Sequence, residues 1–221
     1  MPTTLVHIDL ADPITSPHRY REVRPEIDGF RLVSATLTIT LLEPRRARYE
    51  CACVLETLGE IPARYWCYHL PADRGDVSDL RAWDAGGRLS ARFLPVHATG
   101  TRLEVRLRRP ITAGERYAFT FGYEAEIGAV VAAHGRVRTV TFADWVIFNI
   151  PCAELEIRVE LPPGADYVTA VPAPVEAAGG IVTWRVRALR ALETVAVTLA
   201  YRLTMRSVRQ RMVRRLRGLR P

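Results

Sequence analysis

Leu103-Glu-Val105-Arg-Leu107-Arg-Arg-Pro110-Ile111-Thr-Ala113-Gly114-Glu115-Arg-Tyr117-Ala-Phe119-Thr-Phe121-Gly-Tyr123 decides the fold class. Apolar residues fall on every second position on both sides of a connection that contains Pro110 and Gly114. Successive side chains of a strand point to opposite faces, so each arm has one apolar and one polar face. Two half-buried strands joined by a short loop follow from that alternation. The spacing leaves open whether the arms pair as a hairpin or cross between two sheets.

The pattern recurs on both sides of this stretch. Leu37-Thr-Ile39-Thr-Leu41-Leu-Glu-Pro44 leads to Arg48-Tyr49-Glu-Cys51-Ala-Cys53-Val-Leu55, and Val182-Thr-Trp184-Arg-Val186 leads to Leu192-Glu193-Thr-Val195-Ala-Val197-Thr-Leu199-Ala-Tyr201. Glu115 and Tyr123 align with Glu193 and Tyr201 without a gap, and Pro44 and Pro110 mark the same turn in two copies. Three copies point to a shared supersecondary unit rather than a solenoid of constant period. Further strands are expected near 63–70, 79–83, 88–94, 136–142, 145–150, 154–161 and 166–171. A tight hairpin is expected at Asp84-Ala-Gly86-Gly87, and Pro162-Pro163-Gly164 and Gly179-Gly180 punctuate the second half.

The expected architecture is all-β: two β-sandwich-like units, or one large saddle-like β domain, followed by a short C-terminal amphipathic helix. Residues 1–29, with Pro13, Pro17 and Pro25, read as an irregular N-terminal segment. A first sandwich unit spans 30–127, a second 145–204, and a basic helical tail 205–221.

From Leu80-Arg-Ala-Trp83-Asp-Ala-Gly-Gly-Arg-Leu89 through the 103–123 strand pair, the chain resembles the N-terminal β domain of M1-family aminopeptidases. The strand from Pro151 to Leu161 and its Pro162-Pro163 turn are similar to the second half of that domain. The resemblance implies the scaffold domain alone. The family's His-Glu-x-x-His and Gly-x-Met-Glu-Asn motifs do not occur in these residues, and Asp144-Trp145-Val-Ile-Phe-Asn149-Ile-Pro151 replaces its usual Trp-Pro-x-x-Asp-x-Pro segment.

The most metal-like set is Cys51-x-Cys53 with Cys67-x-His69, since zinc takes four Cys or His ligands. Ligands one residue apart lack the two-residue knuckle spacing. Cys51 and Cys53 also occupy the positions that Phe119 and Phe121 fill in the second copy, and free cysteine behaves as a small buried hydrophobe. No metal and no cofactor are therefore expected, with these four residues as the only candidates. No Gly-x-Ser-x-Gly elbow or phosphate-cradling glycine loop occurs, and His7, His18, His69, His97 and His134 are scattered. Glu124 with Glu126, and Glu154 with Glu156 and Glu160, read as solvated strand faces. The chain is read as a non-enzyme.

All 31 basic residues are arginine, and the formal net charge is +7. The seven arginines of Met205–Pro221 carry that whole excess, because no acidic residue accompanies them. Met205, Val208, Met212, Val213 and Leu216 recur at helical spacing, which gives this tail an apolar seam beside its cationic face. Arg206, Arg209, Arg211, Arg214, Arg215 and Arg217 are the expected partner- or anion-binding residues. The resulting reading is a scaffold or adaptor that docks to a partner protein with an acidic surface through strand edges and this helix. Peripheral binding to an anionic membrane surface is the first alternative, and a peptidase-like β domain completed by a separate catalytic partner is the second. Nucleic acid is disfavoured, and strand-edge pairing offers a route to a homodimer. With no secretory signal or ~20-residue apolar span in view, a cytoplasmic location, with membrane association as a variant, is expected.

Overall fold

The computed structural model describes residues 30–43, 46–58, 63–70, 77–96, 100–126, 131–142, 150–191, 193 and 195–204. Those residues form strands and turns and contain no helix. Fifteen strands follow one another in chain order. The first eight are β1 (Phe30–Glu43), β2 (Arg46–Thr57), β3 (Ala63–Leu70), β4 (Val77–Asp84), β5 (Gly87–Arg88), β6 (Ser90–Val96), β7 (Gly100–Ile111) and β8 (Arg116–Glu126). They continue with β9 (Val131–His134), β10 (Val137–Phe142), β11 (Cys152–Glu160), β12 (Ala165–Val171), β13 (Glu176–Ala178), β14 (Ile181–Leu189) and β15 (Val197–Leu203).

An eight-stranded sheet runs in the order β13-β14-β11-β1-β2-β8-β4-β5, accompanied by a four-stranded sheet β12-β15-β10-β9 and a three-stranded sheet β3-β7-β6. In the large sheet β1 pairs antiparallel with β2 and parallel with β11, from Leu32 opposite Cys152 to Thr40 opposite Glu160. That one sheet therefore takes strands from both the 30–127 and the 145–204 stretches. The β9–β10 hairpin, turning at Gly135 with φ 59°, falls where no strand before residue 136 is expected. Its short Val-Ala-Ala-His arm carries no alternation by which to find it.

The core follows from the alternation. Ala47, Tyr49, Cys51, Cys53 and Leu55 of β2 and Tyr117, Phe119, Phe121, Tyr123 and Ala125 of β8 are all buried. Their register brings equivalent positions side by side: Cys51 lies opposite Phe121 and Cys53 opposite Phe119, while the Tyr49 and Tyr123 rings stack with centroids 4.9 Å apart. Each such aromatic contributes about 2–3 kcal/mol by leaving water. Gly122 interrupts the outward face of β8 for a steric reason. A Cβ there would meet the Tyr49 carbonyl oxygen at 2.8 Å.

The three copies of the alternating pattern fold in two ways. β1 and β2 form a hairpin within one sheet. β7 and β8 lie in different sheets, and so do β14 and β15. Both crossing copies share the same turn chemistry. The Thr112 amide donates to the Glu115 carboxylate at 2.7 Å and the Glu115 amide donates to the Thr112 carbonyl at 3.0 Å. The Arg190 amide likewise donates to the Glu193 carboxylate at 2.8 Å, and the Glu193 amide to the Arg190 carbonyl at 3.2 Å. The gap-free Glu115/Glu193 alignment is thus a shared side-chain-locked corner that redirects the chain to a new layer. The hairpin copy has no glutamate at that place.

A half-buried carboxylate ties the large and three-stranded sheets together. Asp84 ends β4 and accepts from Arg108 of β7 (Nη2, 2.8 Å), from the Gly86 amide (2.8 Å) and from the Tyr117 hydroxyl of β8. The Arg108 amide in turn donates to the Tyr117 hydroxyl oxygen at 3.2 Å. Gly86 belongs to the hairpin expected at Asp84–Gly87, where Asp84 pairs with Gly87. A Cβ there would stand 2.6 Å from Arg108 Nε, so a side chain at this place would displace the guanidinium from its seat.

Candidate functional site

The expected site residues divide by location. Arg206, Arg209, Arg211, Arg214, Arg215 and Arg217, and the expected tail helix with them, lie outside the described residues. Cys51 and Cys53 sit on the core face of β2 with Sγ atoms 3.4 Å apart, whereas Cys67 and His69 belong to β3 in the three-stranded sheet. Burial is the first cause that raises the Cys53 thiol well above its ordinary value, and it pushes Cys152 up to about 12. Thiols so protonated are poor ligands and poor nucleophiles. Among the described residues no three His, Cys, Asp or Glu side chains stand where they could hold a metal ion.

On the outer face of the large sheet three carboxylates each pair with two arginines. Glu124 takes Arg46 at 3.0 Å and Arg48 at 2.9 Å. Glu156 takes Arg158 at 2.5 Å and Arg185 at 2.8 Å, and Glu56 takes Arg31 and Arg116. These arginines hold all three carboxyls below the ordinary carboxylate range, chiefly by hydrogen bonding. Of the glutamates read from the sequence as solvated faces, Glu124 and Glu156 each pair with two arginines, and Glu160 accepts from the Thr40 hydroxyl at 2.7 Å.

The unsatisfied surface is elsewhere and is apolar. Seven large hydrophobic residues are exposed among those described, and five of them come from one short stretch: Tyr167, Val168, Val171, Val175 and Ile181. β12 is an edge strand of the four-stranded sheet and β13 an edge strand of the large sheet, so residues 165–178 border both layers. β12 is exposed on both of its faces, unlike the alternating inner strands. The stretch is nevertheless held firmly. The Trp184 indole donates to the Pro172 carbonyl at 2.8 Å and the Val175 amide to the Thr183 carbonyl at 2.8 Å. Val171 is 69% exposed and Val175 59%, which places valines in water on a fixed platform. The sequence reading names none of these five. The signal was present in Ala165-Asp-Tyr-Val-Thr-Ala-Val171, where adjacent Tyr167 and Val168 put apolar groups on opposite faces.

Beside this edge lies an open cleft of about 380 Å³, lined by Leu161, Pro162, Gly164, Gly179, Gly180 and Ile181 among others. The last described residue, Thr204, sits at its rim, where its amide donates to the Gly164 carbonyl at 3.4 Å and its hydroxyl donates to the same oxygen. Among the described residues no helix is long and apolar enough to cross a membrane.

The fold has solved counterparts. Native yeast LTA4 hydrolase superposes with a TM-score of 0.51 at 9% identity, over 88% of this chain and 33% of that one. An M1 zinc metallopeptidase of Deinococcus radiodurans superposes with a TM-score of 0.50 at 16% identity, over 77% of this chain and 42% of that one. The fold thus resembles the N-terminal domain of M1 metallopeptidases, as Leu80–Tyr123 and Pro151–Pro163 led one to expect. The chain spans less than half the length of either protein. No curated protein matches it in sequence. Residues 67–187, more than half of the 221, match Ribophorin I, and the chain belongs to the Ribophorin I family.

Proposed function

We propose that the chain is a non-enzymatic β scaffold that docks a partner protein on the β12–β13 edge and uses the arginines of Met205–Pro221 as a second contact with an acidic surface. The supporting observation is the concentration of exposed Tyr167, Val168, Val171, Val175 and Ile181 on and beside the edge strands β12 and β13 of two sheets. Edge strands with exposed apolar side chains are where β proteins recruit another chain. On the outer face of the large sheet, by contrast, Glu56, Glu124 and Glu156 already engage two arginines each.

The test is a parallel purification of the full chain and a Val171→Asp/Val175→Asp variant from the same cells. A stoichiometric companion lost from the variant, with an unchanged thermal midpoint, is the expected outcome. Identical companions on both would reject the edge. Binding of the full chain to anionic vesicles that vanishes when Arg209, Arg211, Arg214 and Arg215 become Gln would move the protein to a membrane surface instead. Exclusive self-association that disappears in the edge variant would make the second chain a copy of this one.

A second reading has its own support. The solved counterparts are zinc metallopeptidases and a hydrolase of which this chain covers well under half. In that reading the edge receives a separate catalytic chain. Zinc in the purified complex, and none in the isolated chain, is the result that would favour it.

A further inference from the structure

We infer that the outer face of the three-stranded sheet β3-β7-β6 is a docking surface for an acidic segment of another protein, separate from the β12–β13 edge. The charge of the chain is divided unevenly among its sheets. β3, β6 and β7 contain six arginines and one acidic residue, Glu104. The strands of the large sheet contain nine arginines and eleven acids, and those of the four-stranded sheet two arginines and one acid. The body is therefore polarised, with its cationic excess gathered on one small layer.

Trp66, Leu103, Val105 and Leu107 are buried, so the residues that alternate with them make the outer face. Across its middle run Tyr65, Arg106 and Ser90, one from each strand in register. All three are exposed, Tyr65 to 38%. A register shift between Ala63 and Tyr65 accompanies exposed Arg64 beside them. One row further, Arg92 takes Glu104 at 2.8 Å, so the one acid of the face is already engaged. Among the described residues Arg64 and Arg106 form no ion pair. Two cations thus flank an exposed aromatic ring with no carboxylate to meet them. Arginine and tyrosine are the side chains that protein interfaces favour, and a guanidinium grips a carboxylate through two parallel hydrogen bonds. Spacing also suits a peptide. Arg106 and Arg108 stand two residues apart on one strand, roughly 7 Å, which is the interval between alternate side chains of an extended partner. Glu104 within the face repels the dense charge of a phosphate polymer or a lipid plane, whereas a peptide can set its carboxylates to either side of it. The inference goes beyond the edge reading and does not depend on it.

Fluorescence anisotropy with a labelled polyglutamate peptide of about 15 residues tests it. The parent is the full chain with Arg209, Arg211, Arg214 and Arg215 changed to Gln, so that the tail adds little. Arg64→Gln/Arg106→Gln on that parent should weaken binding about tenfold or more. Arg158→Gln/Arg185→Gln removes the same charge from the large sheet and should stay within about twofold of the parent. Equal weakening by both pairs would overturn the inference by reducing it to net charge, and so would a parent that does not bind. Phosphatidylserine vesicles and single-stranded RNA are the other arms. Tighter binding of either, lost in Arg64→Gln/Arg106→Gln, would overturn the acidic-protein assignment in favour of phosphate. Loss of peptide binding in Val171→Ser/Val175→Ser would overturn it by moving the acidic contact to the edge. Should the double arginine variant unfold, Arg106→Gln alone supplies the reading, with a weakening of about threefold expected.

Discussion

β2 and β8 at the middle of the large sheet and β12 and β13 at its margin obey the same backbone rules and reach opposite outcomes. β2 and β8 largely alternate buried and more exposed residues, so every aromatic side chain and nearly every large apolar one has a layer to enter. β12 and β13 hold apolar residues too, yet nearly every position is exposed. The difference is one of neighbours rather than of composition. A strand between two strands and beneath a second layer satisfies both its hydrogen bonds and its apolar face. A strand at the border of two sheets satisfies one side only, and its remaining apolar area is available for association. The centre therefore carries stability and the margin is free to carry function.

The largest effect expected from this contrast comes from truncating one side chain in each region. Phe121→Ala, at a position 2% exposed, should cost about 3–5 kcal/mol in urea unfolding, through lost transfer energy and a cavity beside Cys51 and Phe119. Val171→Ala should change stability by less than about 0.5 kcal/mol. A Val171 effect as large as that of Phe121 would mean that the margin is packed in solution and would break the comparison.

Next in size is the clasp between the sheets. Asp84→Asn keeps the shape but removes the charge that Arg108 and Tyr117 address, and should cost about 2 kcal/mol. Hydrogen bonding from Arg108, ahead of that from Tyr117, lowers the Asp84 carboxyl to about 2 from an ordinary 3.8. The Thr112 amide, ahead of Arg109, lowers Glu115 to about 2 from 4.5. A carboxyl with a folded value below its unfolded one contributes stability in full above the unfolded value. It loses that contribution as pH falls through the folded one. The unfolding midpoint should thus be flat above about pH 5 and should drop between about pH 4.5 and pH 2, with a smaller drop in Asp84→Asn. An equal acid drop in both proteins would show that the clasp does not bind the layers.

The same contrast explains which parts of the molecule were legible in the sequence. The inner strands were, because burial on one face writes a period of two into Leu103–Tyr123 and its relatives. β3 runs over Ala63–Leu70 as expected, and the Asp84–Gly87 hairpin lies where its glycines placed it. The parallel pairing of β1 with β11 had no local signal, since its partners lie more than a hundred residues apart and any register of alternating strands buries one face. β4 departs from its sequence reading at Asp79, whose φ of 54° accompanies a register shift between Ser78 and Arg81. For the candidate site, sequence reasoning turned to charge and found Arg206 to Arg217, outside the described residues. The exposed valines of the margin were passed over because an isolated valine reads as core until the missing layer is known.

The smallest predicted effect concerns the corners that separate hairpin from crossing. Glu115 receives the Thr112 amide, the Thr112 hydroxyl at 2.9 Å and Arg109 at 3.0 Å, while Glu193 receives the Arg190 amide. Each carboxylate closes a turn after which the chain enters another sheet. Glu193→Gln should lower stability only slightly, and Glu115→Gln by more, because the Glu115 carboxylate accepts from more donors. The ordering is the informative part. Should Glu193→Gln prove the more damaging, the corner between β14 and β15 would be under a load that its hydrogen bonds do not explain. A corner so loaded would couple the β12–β13 margin to the core, and the division between a stabilising centre and a free edge would have to be redrawn there.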